Sequence, residues 1–314
     1  MHALKSINKK DYPFKSINQT LITNIVSNRE NIDDGFFMYK EYCPQRIFYR
    51  DIAKLVDEVP TESQYKGLYF ESLLLDKEAK TIPLTKTGKV PIDYERIQKQ
   101  ATNAQLIFLK NGISVSRGIN TQVPLSFYHK ELDIVVKGKL DLFPAQVLLD
   151  GELKKCIVDI KLTGNVDDTF SPYSWGDPTK RDNIQGDMYM WLVRNVFQNN
   201  LFKEVKERNK DYNYFFVFND DNIREIVEKG ILFFYFVFGY RESEEKPLME
   251  NVKIIERVRT EHKEYQMLVR MAQAIEALRI DEDNGWKAKP SQIACDKCPL
   301  KNIVCNEYLE IFKC

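Results

Sequence analysis

The alternation of hydrophobic and polar positions predicts a chain in which helices precede a group of strands. The spacing is helical over 34–56, 65–79 and 95–110. Apolar and β-branched runs then predict strands over 113–117, 132–143, 146–149 and 153–162. Further along, the pattern predicts helices over 181–197 and 252–278, and strands over 212–218 and 231–240. We therefore expect an α/β fold with a mixed central sheet flanked by helices.

Charged side chains interrupt two of these predicted strands. Asp141 lies in one, and Asp159 and Lys161 lie in the next. Side chains alternate along a strand, so Asp159 and Lys161 point to the same face. Burying them costs free energy unless their charges are balanced. The alternative is an ordinary salt bridge on a solvent-facing strand, but the apolar neighbours of Asp159 favour a central strand.

A third carboxylate, Glu71, lies on a preceding predicted helix. Mg²⁺ and Mn²⁺ prefer carboxylate and carbonyl oxygens, so Glu71, Asp141, Asp159 and the backbone carbonyl of Ile160 are candidate metal ligands. Such an ion activates water and stabilises charge on a leaving oxygen. Lys161 would hold the attacking water or stabilise a pentavalent phosphorane. This is the chemistry of a metal-dependent phosphodiesterase.

Composition limits which partners can be inferred. The 314 residues are 43% hydrophobic and 29% charged, which is typical of a globular chain with one large domain or two small ones. The 46 basic and 46 acidic side chains cancel, so nucleic-acid binding must rest on local patches such as Lys180 and Arg181. An ordinary solvated face is the alternative for this pair. We see no signal peptide or bilayer-length apolar run, and expect a cytoplasmic protein without a membrane partner.

Two further groups of residues are candidates for function. Gln185 and Tyr189 are four residues apart and share a helix face, where they could contact a nucleotide or simply pack in an amphipathic helix. Among the six cysteines, Cys295, Cys298 and Cys305 have a spacing that suits zinc or an iron–sulfur cluster. They lack a fourth ligand. Cys156, flanked by apolar strand residues, is expected to be a core thiol.

In chain order, Gly67-x-x-x-Glu71, Gly138-x-x-Asp141, Asp159-x-Lys161 and Gln185-x-x-x-Tyr189 resemble the RecB-like branch of the PD-(D/E)XK nuclease superfamily. This branch includes AddB and the CRISPR-associated adaptation nucleases, and the resemblance spans roughly 42–305. It implies a restriction-endonuclease-like core in which Asp141 and Asp159 bind metal, Lys161 is catalytic, and Gln185 and Tyr189 contact DNA. Members of the branch more often have His where this chain has Glu71.

The resemblance also implies a [4Fe–4S] cluster bound by one early and three late cysteines, here Cys43, Cys295, Cys298 and Cys305. The cluster would clasp the two ends of the nuclease core. This chain departs from the expected pattern, because six residues rather than five separate Cys298 from Cys305, so Cys314 could compete with Cys305 as a ligand. Zinc remains the alternative.

The resemblance implies a single nuclease domain over 1–314, with its core over 65–240 and a clasp formed by 34–60 and 285–314. The expected activity is that of a DNA exonuclease on single-stranded ends. It would act in recombination and repair, CRISPR adaptation or phage DNA metabolism, with possible protein partners there. The alternative is a catalytically silent DNA-binding or structural subunit with the same fold.

Overall fold

The computed structural model describes residues 7–33, 43–57, 60–76, 78–169, 175–176, 184–199, 220–242 and 246–288, together with 295, 298, 300 and 305. Lys180, Arg181, Cys314 and the strand predicted over 212–218 lie outside these residues.

Helices and strands follow one another in a mixed order along the described residues. The α-helices are α1 (Gln19–Asp33), α2 (Pro44–Ile47), α3 (Glu62–Leu74), α4 (Ile92–Lys110), α5 (Ile184–Gln198), α6 (Asp220–Lys229) and α7 (Glu261–Asp283). A 3₁₀ turn (Lys9–Asp11) and a π-helical turn (Phe48–Ile52) also occur. The strands are β1 (Ser16–Asn18), β2 (Thr121–His129), β3 (Ile134–Leu149), β4 (Glu152–Thr163), β5 (Leu232–Gly239) and β6 (Val252–Glu256).

The six strands form one mixed sheet with the order β1-β3-β4-β5-β6, in which β2 also pairs with β3. The pairs β1–β3 and β4–β5 are parallel, whereas β3–β4 and β5–β6 are antiparallel. The predicted mixed sheet flanked by helices is confirmed. β4 lies between β3 and β5, as its apolar sequence indicates.

The chain divides into two compact units. The first comprises Met1–Val59, Tyr128–Lys137 and Tyr265–Cys314, and the second comprises Pro60–Phe127 and Gly138–Glu264. The single domain expected from the sequence stays a prediction. Among the helices of the described residues, none combines the length and the apolar character needed to cross a bilayer.

The second unit packs helices on both faces of its strands. On one face, Phe70 of α3 and Phe108 of α4 contact Phe238 and Phe236 of β5, with ring centroids 5.4 and 5.5 Å apart. On the other face, α5 packs against the intervening side chains of β5, such as Phe233. Burial on both faces explains the nearly unbroken apolar sequence of β5.

In the first unit, the N-terminal segment packs against residues from the C-terminal part of the chain. The Lys9 ammonium donates hydrogen bonds to the carbonyl oxygens of Gly285 (2.9 Å) and Trp286 (3.0 Å). The fully buried ring of Trp286 lies 5.7 Å from the ring of Phe48. These contacts join the N-terminal segment to the residues that follow α7 within this unit.

Some predicted elements are wrong or have different bounds. The strand predicted over 113–117 is wrong, because the chain there leads into a turn in which the Asn120 N–H bonds the Ser116 carbonyl at 3.1 Å. The predicted helix over 252–278 begins as strand β6, and α7 starts only at Glu261. Helix α3 begins before the predicted 65, because Thr61 and Gln64 form a reciprocal capping box.

Candidate active site

The ladder between strands β3 and β4 contains a bulge and ends just beyond it, at the pair Leu142–Val158. The ladder between them includes the pairs Leu142–Val158 and Ala145–Cys156, so two residues of β3 face one residue of β4 between these pairs. Asp141 comes directly before the first of these pairs. It therefore lies where the two strands diverge, and its side chain can reach backbone groups that a regular ladder would occupy.

The carboxylate of Asp141 fills this gap between the strands. Its Oδ2 accepts a hydrogen bond from the N–H of Ile160 at 2.9 Å, and its Oδ1 accepts one from Gln122 Nε2 at 3.0 Å. The N–H and C=O of a strand residue point to the same neighbouring strand. The carbonyl of Ile160 therefore points toward the side on which Asp141 lies.

Asp159 and Lys161 project from β4 on the face that α5 covers. They pair in the sheet with Tyr235 and Val237 of β5. The Lys161 ammonium lies 2.5 Å from Asp159 Oδ2, and the side chains are 27% and 1% exposed, respectively. The salt bridge between Asp159 and Lys161, which the sequence analysis gave as the alternative to a metal site, is present. Asp159 is buried, however, rather than solvent-facing.

Glu71, on α3, lies close enough to these groups to interact with their charges. Burial, together with the charge of Asp141, the opposing charge of Lys161 and the charge of Asp159, raises the pKa of Glu71 to about 8. Burial acts to lower the pKa of Lys161, but the surrounding carboxylates raise it well above its ordinary value. The structure thus brings Glu71, Asp141, Asp159 and Lys161 together as one cluster.

The donor set of this cluster fits a hard divalent cation. Three carboxyl groups interact with the charge of one ammonium, and their mutual repulsion is what a dipositive ion would relieve. Across the residues that the structure describes, however, no three His, Cys, Asp or Glu side chains are arranged as a ready-made metal site. Because Lys161 is bonded to Asp159 Oδ2, a cation would share that oxygen with the ammonium or displace it.

Gln185 and Tyr189 face the same cluster from α5. Gln185 Nε2 donates a hydrogen bond to Asp159 Oδ1 at 2.9 Å and lies 3.4 Å from the Tyr189 hydroxyl. The Tyr189 ring packs so closely on Gly138 that a Cβ there would lie 3.0 Å from it. In the structure, Gln185 therefore contacts a candidate metal ligand. Its expected contact with DNA stays a prediction.

The sequence reading missed the residues that fix the start of α5. The Gly186 N–H donates a hydrogen bond to the Tyr235 hydroxyl at 3.0 Å. Asp187 accepts two hydrogen bonds from Arg257, from Nε at 3.0 Å and from Nη2 at 2.6 Å. A glycine inside the helix predicted over 181–197 was the available signal, because such a glycine often has a packing reason. These contacts orient the helix that carries Gln185.

Two of the predicted cluster cysteines, Cys43 and Cys295, lie close enough to a third, Cys298, to affect its pKa within the first unit. Burial raises the pKa of the Cys298 thiol, and the nearby Cys43 and Cys295 add to this rise. The Cys298 N–H also bonds the Cys295 carbonyl at 3.2 Å. The Cys305 N–H bonds the Leu300 carbonyl at 3.3 Å.

Cys156 is a core thiol, as predicted from its apolar neighbours. It is fully buried on β4, and burial raises its pKa to about 12.

The fold is similar to that of a solved protein. A crystal structure of a "putative exonuclease" from Eubacterium rectale matches with a TM-score of 0.51 and 13% identity, over 90% of this chain and 87% of that chain. No family model and no curated protein matches the chain. At this identity the likeness concerns the fold alone, a mixed α/β architecture.

Proposed function

We propose that this protein hydrolyses DNA phosphodiester bonds with Mg²⁺ or Mn²⁺. The observation that carries the proposal is the cluster of Glu71, Asp141, Asp159 and Lys161, which collects three carboxyl groups and one ammonium where β3 and β4 diverge. A dipositive ion with such carboxylates is suited to activating water for attack on phosphorus. The likeness in fold to a "putative exonuclease" supports the same class of reaction.

Each group in the cluster has a role in this proposal. Glu71, Asp141, Asp159 and the carbonyl of Ile160 would hold the ion, which supplies a water of lowered pKa and stabilises the leaving oxygen. Lys161 would orient the attacking water. Its ammonium would also stabilise the negative charge on the non-bridging oxygens while the water oxygen bonds to phosphorus and the ester P–O bond breaks.

The substrate in this proposal is the end of a DNA strand, preferentially single-stranded. The motif order that resembles RecB-like nucleases and the name of the structural neighbour both support exonuclease action. Gln185 and Tyr189 would contact the strand once it displaces the bond between Gln185 and Asp159. Lys180 and Arg181 would contact the DNA backbone. The cellular setting would be recombination and repair, CRISPR adaptation or phage DNA metabolism, in the cytoplasm and with protein partners of such a pathway.

The proposal includes a [4Fe–4S] cluster bound by Cys43, Cys295, Cys298 and Cys305, with zinc as the alternative. Its support is the effect of Cys43 and Cys295 on the pKa of the Cys298 thiol and the backbone bond from Cys298 to Cys295. Anaerobic purification followed by iron, sulfide and zinc analysis distinguishes the two metals. Brown protein with about four irons and four sulfides per chain supports the cluster; colourless protein with one zinc supports the alternative.

The nuclease proposal is tested by release of labelled nucleotides from single-stranded and duplex DNA, with Mg²⁺, with Mn²⁺ and with a chelator. We expect metal-dependent release that is lost in Asp159→Asn and Lys161→Ala. Lys229→Ala is the matched control, since that side chain is 74% exposed on α6. Cleavage that survives both cluster substitutions would show that the active site lies elsewhere.

A second candidate is a DNA-binding subunit without catalysis. It is favoured by the lack of a ready-made metal site among the described residues and by the bond from Lys161 to Asp159. Wild-type protein that binds DNA but releases no nucleotide under any of the metal conditions would support this candidate.

A further inference from the structure

The backbone of Gln122 is strained at the start of β2. Its φ is +54°, in the left-handed region, although it carries a Cβ and occupies the second position of a strand. Left-handed backbone is unfavourable for most residues. Glycine adopts it readily, and asparagine and aspartate tolerate it better than the other residues do. Such strain persists where surrounding contacts hold it, and it is concentrated at functional sites.

The side chain of Gln122 ends on Asp141. Its Nε2 donates a hydrogen bond to Asp141 Oδ1 at 3.0 Å, while the N–H of Ile160 holds Oδ2 at 2.9 Å. Each oxygen is thus fixed by one neutral donor and retains acceptor capacity for a cation. A neutral amide is suited to this task, because it orients the carboxylate without supplying a competing positive charge.

The residues around Gln122 also hold the bulge of β3. The carbonyl of Asn120 accepts a hydrogen bond from the Phe143 N–H at 2.8 Å. The buried amide of Asn120 donates to the carbonyls of Pro144 at 3.2 Å and Ser114 at 2.9 Å. One short segment therefore fixes both the bulge and the carboxylate next to it, and these contacts hold the strained backbone in place.

We propose that Gln122 is a positioning residue that orients Asp141 for binding a divalent cation, and that its left-handed backbone is retained for this purpose. The inference rests on the proposed function, since it concerns the same metal-dependent site. It adds a residue that lies outside every motif recognised in the sequence. Gln122 acts through Asp141 and has no part in bond making or breaking.

Three substitutions separate positioning from a role in folding. Gln122→Gly relaxes the backbone and removes the amide, while Gln122→Ala removes the amide and keeps the strain. Gln122→Asn keeps an amide and tolerates left-handed backbone, but its side chain is one methylene shorter and falls short of Asp141. Gln98→Ala is the control, because it deletes an amide that bonds the Tyr69 hydroxyl instead.

The measurements are Mn²⁺ affinity by calorimetry, the thermal midpoint in chelator, and the Mn²⁺ concentration for half-maximal DNA cleavage. We expect all three Gln122 variants to bind Mn²⁺ about 10–100-fold more weakly, as for other outer-shell partners of metal ligands. The Gly and Asn variants should unfold at or above the wild-type midpoint, and the Ala variant below the Gly variant. Gln98→Ala should retain wild-type Mn²⁺ affinity.

The outcomes distinguish failure of this inference from failure of the proposed function. Wild-type Mn²⁺ affinity in the Gly and Asn variants overturns the positioning role, as does loss of affinity only in variants that also lose stability. Wild-type protein that binds Mn²⁺ but cleaves no DNA contradicts the proposed nuclease activity. The Mn²⁺ affinities of the variants would still show whether Gln122 positions Asp141. Wild-type protein that binds no Mn²⁺ overturns both.

Discussion

The ammonium of Lys161 lies 2.5 Å from Oδ2 of Asp159, two residues earlier on the same face of the same strand. Asp159 is almost completely buried, so its charge depends on this partner and on the amide of Gln185. The same ammonium interacts with the carboxyl groups of Glu71 and Asp141. Lys161 therefore offsets part of the carboxylate charge of the cluster in the metal-free protein, in addition to its proposed role in the reaction.

Lys161→Met tests this charge balance. The substitution keeps a long apolar side chain but leaves the carboxyl groups without their cation. We expect the free energy of unfolding in chelator to fall by about 3 kcal/mol, as when one partner of a buried pair is removed. Because Mn²⁺ would supply the missing charge, it should raise the thermal midpoint of this variant more than that of the wild type.

Lys229→Met, at an exposed position, is the control for that measurement and should respond to Mn²⁺ as the wild type does. An equal response of Lys161→Met and the wild type would mean that the cluster is not where the ion binds.

The raised pKa of Glu71 predicts a pH dependence of stability. Burial, with Asp141 and Asp159, raises that pKa from 4.5 to about 8. Between these values the folded metal-free protein retains a proton that the unfolded chain has released. The contribution of Glu71 to the free energy of unfolding therefore decreases as pH rises through this window, by up to about 1.4 kcal/mol per pH unit.

Glu71→Gln removes this titration. In chelator the variant should match the wild type near the lower limit of the window and become progressively more stable than it toward pH 8. Denaturant titrations of both proteins at a series of pH values measure the difference. With Mn²⁺ the order should reverse, because the amide is a poorer ligand than the carboxylate. A difference that does not change with pH would contradict the raised pKa.

The sequence predicted the centre of the sheet well because that part has a strong local signal. A strand buried on both faces must be largely apolar, as are the buried centre of β4 and all of β5. Within β4, Asp159 and Lys161 are conspicuous because charge is rare in such a strand. Alternation then placed both side chains on one face, as the structure has them.

Strand β2 was not predicted from the sequence, and the reason again lies in its own residues. Its Thr121, Val123 and Leu125 are buried in alternation, but Pro124 interrupts the pattern and argues against a strand. Proline is tolerated where no ladder partner needs its N–H. Gln122 was missed for a different reason: its left-handed backbone and its bond to Asp141 depend on the bulge of β3, which no spacing in the sequence marks.

Gly67→Ala distinguishes two reasons for a glycine at this position. Gly67 lies inside α3, four residues before Glu71, and a Cβ there would meet nothing within 4 Å. Glycine in a helix interior costs about 0.5–1 kcal/mol relative to alanine, so the substitution should stabilise the protein by that amount in denaturant titrations. DNA cleavage should be unchanged. A folded variant that no longer cleaves DNA would show that the substrate approaches the backbone at Gly67.

Gly239→Ala should have the opposite effect on stability. Gly239 ends β5, and a Cβ there would overlap the fully buried side chain of Asn251. That side chain accepts a hydrogen bond from the Val166 N–H at 3.1 Å and donates one to the Arg241 carbonyl at 2.7 Å. Displacing it breaks these bonds in a packed interior, so we expect a loss of about 1–3 kcal/mol.

A second substitution, at Asn251, tests whether overlap with this side chain causes the loss of stability in Gly239→Ala. Asn251→Ala alone should destabilise the protein, because it leaves the Val166 N–H and the Arg241 carbonyl without their partner. In the double variant Gly239→Ala/Asn251→Ala the overlap is gone, so the two losses of stability should be less than additive. Fully additive losses would contradict the overlap as the cause.

Since Val166 follows β4 closely in the chain, we also expect slower DNA cleavage in Asn251→Ala, which labelled-nucleotide release at matched folded fractions would measure.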